Sequence, residues 1–146
     1  MLVLLSPAKS LDFQSELRTQ KHSSPRMMSE SSELIEVLLT HSPDSIADLM
    51  SISGKLSALN VERYQNWEPE ASVENSRPAA LAFSGDVYSG MDLSRYSERD
   101  FTRAQKQIRI LSGLYGLLRP LDLIQPYRLE LSLIHISEPT RPERIG

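Results

Sequence analysis

Apolar positions in this chain come in short blocks separated by polar, proline-marked stretches. Leu2-Val3-Leu4-Leu5 is a continuous apolar run that stops at Ser6-Pro7. A run of that length ended by a breaker reads as a strand, and its continuity predicts burial on both sheet faces. Residues 14–26 are polar and predict a surface loop. From Met27 to Thr40 the spacing turns helical, with Leu34, Ile35, Leu38 and Leu39 on one face and Glu30, Glu33 and Glu36 on the other. His41-Ser42-Pro43 then breaks the chain. Ser42 and Pro43 supply the cap and first residue of a second helix, with Ile46, Leu49 and Met50 inward. Ser53 predicts the cap of a short helix to Ala58, then a turn near Leu59-Asn60 and another helix to Trp67. Leu56, Leu59, Tyr64 and Trp67 form its expected inner face.

After a second polar loop over 68–77, Ala79 to Phe83 reads as a short buried strand closed by Ser84-Gly85. Ser97-Glu98-Arg99-Asp100 has the spacing of a capping box, with Asp in place of the usual Glu. It opens a helix towards Lys106, with Phe101 and Ala104 inward. Ile108-Arg109-Ile110-Leu111 predicts a third strand, and Gly113, Gly116, Pro120 and Pro126 punctuate the stretch after it. Strand, helices, strand, helix, strand is the order of an α/β fold with a small, partly parallel sheet and surrounding helices.

A length of 146 residues allows one domain. Sixteen Lys and Arg against 19 Asp and Glu give a net charge of −3, and 40% hydrophobic residues exclude a wholly disordered chain. There is no cysteine, which excludes disulfides, thiolate metal sites and cysteine nucleophiles, and fits a reducing cytoplasm. No apolar run approaches the ~20 residues of a membrane helix, and the N-terminus lacks the basic start of a secretory signal. The three histidines show no metal-ligand spacing, so no metal and no cofactor is expected.

Chemistry, if present, belongs in the loops that leave the strands, where open α/β sheets bind ligands. Ser6-Pro7-Ala8-Lys9-Ser10 follows the first strand, and Lys9 there is either a phosphate-directed charge or an ordinary turn residue. The glycines of a P-loop are missing. Gly85-Asp86-Val87-Tyr88-Ser89-Gly90 follows the second strand, where Asp86 can meet a ligand or shape a turn. Leu111 through Leu129 follows the third, with Gly113, Tyr115, Gly116, Arg119, Asp122, Tyr127 and Arg128 set among apolar residues. Arginines in such a setting have a partner, here either internal, as in Arg119 with Asp122, or an external phosphate. Ser53-Gly54-Lys55-Leu56-Ser57-Ala58-Leu59-Asn60 has the outline of a helix-hairpin-helix, which offers backbone N–H groups and a cation to DNA phosphates. Ala58 and Asn60 occupy its expected glycine positions, which weakens that signal.

Leu4 to Asp12, Phe83 to Gly90 and Leu111 to Glu130 together resemble the motifs of the YaaA peroxide-stress protein family, over residues 1–130. Family members are longer, so the chain reads as the N-terminal part of a single YaaA-like domain. Residues 131–146 depart from the pattern, and Ser132 to Pro142 resembles a translated sequencing adapter, so this tail reads as foreign. The resemblance implies a cytosolic protein that limits free-iron damage during peroxide stress. It also implies a compact α/β fold with a helix-hairpin-helix element and sequence-independent binding of double-stranded DNA. Lys9, Lys55, Arg119 and Arg128 are then the phosphate contacts. Ser6, Pro7, Ala8, Gly85, Asp86, Tyr88, Gly113, Tyr115, Gly116 and Tyr127 are the residues of the motif loops. The alternative is an enzyme acting on a nucleotide or nucleobase, with Lys9, Asp86 and Arg128 in one strand-end pocket and Asp86 its acid or base. Direct iron storage ranks last, because inward Glu-x-x-His pairs are absent.

Overall fold

The computed structural model describes residues 2–8, 10–17 and 19–129. Lys9, and the tail read as foreign, lie outside the described residues. Strands β1 (Val3–Leu5), β5 (Ile108–Ser112) and β6 (Gly116–Leu118) form a sheet in the order β1-β5-β6. β1 pairs parallel to β5, with Leu5 opposite Ile110, and β5 pairs antiparallel to β6, with Ile110 opposite Leu118. The partly parallel α/β architecture is therefore as the sequence predicts. Two short antiparallel pairs complete the strands: β2 (Ser10–Leu11) with β4 (Phe83–Ser84), and β3 (Arg77–Pro78) with β7 (Leu123–Ile124).

Five of the helices are α1 (Met28–Leu38), α2 (Pro43–Met50), α3 (Gly54–Asn66), α5 (Asp86–Met91) and α6 (Glu98–Gln107). Ser42 caps α2 by accepting from the Ser45 N–H at 3.1 Å, with Pro43 at the first position. The capping box of α6 is complete: Ser97 Oγ accepts from Asp100 N and the Asp100 carboxylate accepts from Ser97 N. Aspartate is long enough to close the box because the loop it spans is a single turn. Ile35, Leu38, Ile46, Tyr64, Ile110, Tyr115, Leu118 and Ile124 form the centre of the core. Ser31, fully buried in α1, donates to Leu114 O at 2.9 Å and fastens that helix to the β5–β6 turn.

Several expectations are corrected. β1 is a strand, but Leu2 and Leu4 are exposed, because the outer face of the sheet carries no covering layer among the described residues, and Val3, on the Leu5 face, is still 43% exposed at the start of this edge strand. Ala79 to Ala82 is a helical turn, α4, and only Phe83–Ser84 is extended. Alanine lacks the branched Cβ that favours strand, and Pro78 sets up the helical start. No turn interrupts α3 at Leu59-Asn60. Asn60 sits inside the helix with its Nδ2 donating to Leu56 O at 2.8 Å. The buried stripe of α3 is Ser57, Asn60 and Tyr64, while Leu56 and Leu59 are exposed. Ser57 Oγ donates to Pro43 O, so a small polar residue lets α2 and α3 approach closely.

Gly116 has φ +73°, and a Cβ there would lie 2.5 Å from the Met27 sulfur. Gly90, in α5, has open space where a Cβ would stand. Gly116→Ala should lower the free energy of urea unfolding by about 1–2 kcal/mol, whereas Gly90→Ala should leave it unchanged or raise it. Equal effects at the two sites would contradict the left-handed turn at Gly116.

Candidate functional site

The three motif segments meet. β2 pairs with β4, and the position where Gly85 lacks a Cβ is 3.4 Å from Ala8 Cβ. Tyr88 Oη donates to Ser6 O at 2.6 Å and its ring packs on Phe83. The first and second segments are thereby joined. The third segment closes on itself: a Cβ on Gly113 would lie 2.8 Å from Leu129 O, so only glycine allows that approach. Tyr127 Oη and Ser112 Oγ share a hydrogen bond of 2.6 Å. Tyr115 Oη accepts from Trp67 Nε1 and from Gln125 N, both at 2.9 Å. Tyr64 Oη donates to Arg128 O, tying α3 to the end of the segment.

Between these segments lies a recess of about 480 Å³. Its lining comes from the first segment (Leu11, Asp12, Phe13), the second (Ser84), the third (Pro126), and Arg63 of α3. Of the strand-end loops expected to converge, the third reaches this lining, through Pro126, while the charged residues in it are Asp12 and Arg63. Asp86 is exposed at the start of α5, and Asp86 and Arg128 are not among the lining side chains. Pro7 is half-buried behind Ser6, and Lys55 is exposed in the first turn of α3, away from the recess lining.

Arg119 is engaged internally. Its Nη2 lies 2.9 Å and its Nε 3.1 Å from Asp122 Oδ1, and Nη2 also donates to Ser24 O at 2.9 Å. Asp122 is fully buried and accepts further from Arg119 N and Ser23 Oγ. Of the two partners open at the sequence level, the internal carboxylate is the one this guanidinium has.

Two cations that the sequence pattern does not single out stand in or beside the recess. Arg63 is half-buried on its wall and has no carboxylate within ion-pair distance among the described residues. Burial holds its guanidinium below its ordinary pKa, with Tyr64 opposing. Arg77 is buried and gives Nε to Leu81 O and Nη1 to Ser15 O, so it braces the loop after β2. Asp12 is pulled down to about 2, first by the Ser15 side chain, then by the backbone N–H groups of Ser15 and Gln14. It faces the recess as a fixed anion that accepts hydrogen bonds. The signal for Arg63 was its place beside apolar Val61 and Tyr64 on a helix, but helical spacing alone does not separate a recess wall from a wet face. Among the described residues no cluster of His, Asp and Glu could hold a metal ion, and no helix is long and apolar enough to cross a membrane.

Burial pushes the phenols of Tyr64, Tyr88 and Tyr115 up to about 12. Once unfolded they titrate near 10, so the stability they carry is complete below that pH and is lost as pH rises towards 12. Tyrosinate absorbance from these three phenols should therefore rise together with loss of the circular-dichroism signal, above the pH at which the unfolded groups titrate. All phenols titrating in one stage near pH 10 while the fold persists would contradict the buried network.

A family model described as peroxide stress protein YaaA matches residues 1–139, running past Glu130 into the tail. A UPF0246 protein of Tolumonas auensis is 59% identical over 131 residues, which is 90% of this chain and 50% of that protein. The chain thus spans about half the length of this curated relative. With the motif loops joined as described and the family model covering nearly all of it, the chain belongs to the YaaA peroxide stress protein family.

Proposed function

We propose that this chain is part of a cytosolic protein of the hydrogen peroxide response that limits free-iron damage in contact with double-stranded DNA. The observation that carries the DNA contact is the α2–α3 hairpin. Its turn is not at Ala58 and Asn60, where the sequence suggested it, but at Ser51 to Ser53, about two helical turns earlier in the chain. Ser51 adopts φ 56°, ψ 50°, and Ser53 caps α3 by accepting from Leu56 N at 3.3 Å. Gly54 and the exposed Lys55 then occupy the first turn. Backbone N–H groups at that end have no intrahelical partner, and with the lysine they suit a phosphate oxygen regardless of base sequence. The Ala58 objection falls away, since Ala58 lies within the helix.

Binding of a short fluorescent duplex, followed by anisotropy across a salt series, tests this. Affinity should fall steeply with salt and be indifferent to sequence. Lys55→Glu should weaken binding by about tenfold and make the salt dependence shallower by about one unit. Absence of binding at low salt, or a Lys55→Glu variant that binds as the parent does, would overturn the proposal.

A second reading, an enzyme acting on a nucleotide or nucleobase, is favoured by the recess itself. Arg63 offers a partly desolvated cation for a phosphate, the Phe13 ring and Pro126 offer apolar surface, and Asp12 accepts hydrogen bonds. Asp86, exposed outside the lining, is not placed as its acid or base. Calorimetric titration with nucleoside mono-, di- and triphosphates should find one class whose binding is lost in Arg63→Gln without a change in unfolding midpoint. No heat from any of them, or equal affinity in the variant, would rule this reading out.

A further inference from the structure

The sheet β1-β5-β6 has two unlike faces. Leu5, Ile110 and Leu118 are register partners on the inner face, where Ile110 and Leu118 are fully buried. Strand side chains alternate, so Leu4, Leu111 and Leu117 point the other way. Leu4 is 61%, Leu111 52% and Leu117 49% exposed, and Leu2, at the head of β1, is 65% exposed. Leu111 and Leu117 are direct register partners, whereas Leu4 stands opposite Arg109, whose guanidinium folds back to donate to Gln105 O and Ile108 O. Single exposed leucines are ordinary, but several on one sheet face, with a single arginine among them, mark a surface meant to be covered. Among the described residues both β1 and β6 are also edges, with backbone groups that can accept another strand.

We propose that this face is the docking surface for the second half of the family's chain. The argument for that occupant is length: the matched Tolumonas auensis protein holds as many residues outside the shared stretch as within it. An open apolar face on the shared stretch and an equal length of the relative outside it fit each other. The occupant is an apolar layer of that second half, laid against Leu4, Leu111 and Leu117. A second copy of this chain, or its own residues 130–146, are the competing occupants.

This chain has no cysteine, and any in the relative's half of the chimera are replaced by serine, so labelling reports the introduced thiol alone. Leu4→Cys and Leu117→Cys are made singly, with Val73→Cys as a control at a position 62% exposed and remote in sequence from the sheet strands. Each is placed in the 146-residue chain and in a chimera that continues residues 1–130 with the second half of the Tolumonas auensis relative. Thiol labelling rates are then compared. In the 146-residue chain all three sites should label at similar rates. In the chimera Leu4→Cys and Leu117→Cys should slow by at least about tenfold while Val73→Cys does not. Fast labelling in the chimera would overturn the proposal. Protection already present in the 146-residue chain would overturn it as well, and sedimentation would then separate a second copy from the chain's own tail. Hydrogen exchange of β1 and β6 amides in the unsubstituted proteins is read alongside. Slower exchange in the chimera supports the proposal and unchanged exchange contradicts it, whether or not the cysteine variants fold.

Discussion

The structure depends on one buried carboxylate. Asp122 has no exposed surface and accepts from Ser23 Oγ, the Arg119 backbone N–H and the Arg119 guanidinium. A charge held out of water is tolerable only when such donors surround it. Its neighbours show what it organises. Ser23 bridges to Asp122, Ala79 N donates to Asp122 O, and Ala80 N donates to Pro120 O. The long polar loop, the β3–β7 pair and the start of α4 are all fastened to this short stretch. The loop over 14–26 can therefore be polar in composition and still contain a buried Thr19 and Pro25.

From that junction the motif chemistry divides into frame and function. Tyr88, Tyr115, Tyr127, Gly113 and Gly116 make contacts that position backbone, and Arg119 neutralises Asp122. Such residues look like active-site residues in a sequence because they are polar and set among apolar ones. In the structure their polar groups are spent on the protein itself. The two cations that the functional readings use, exposed Lys55 on the helical hairpin and half-buried Arg63 on the recess wall, are both on α3. One helix thus carries the basis of both functional readings.

The sequence was most informative where local chemistry decides structure. The caps at Ser42, Ser53 and Ser97 and the β5 strand were legible, because each needs only residues close in the chain, and the Arg119–Asp122 pair was one of two partners the sequence left open. It misled where packing across the fold decides. The burial of Asn60 in place of Leu59 follows from which face of α3 meets α2, which no spacing within α3 specifies. The exposure of β1 follows from the absence of a layer over it among the described residues, and a fully apolar run reads identically whether both layers are present or one. Arg63 was missed for the same reason: its importance comes from Asp12, Phe13 and Pro126 arriving from elsewhere in the chain.

The central claim is that the pair of Arg119 with buried Asp122 holds the frame together. A double-mutant cycle on unfolding free energy, using Asp122→Asn and Arg119→Gln singly and together, tests it most directly. The account predicts a coupling of about 1–3 kcal/mol, with the double variant far less destabilised than the two single effects summed. Effects that add to within about 0.5 kcal/mol would contradict it.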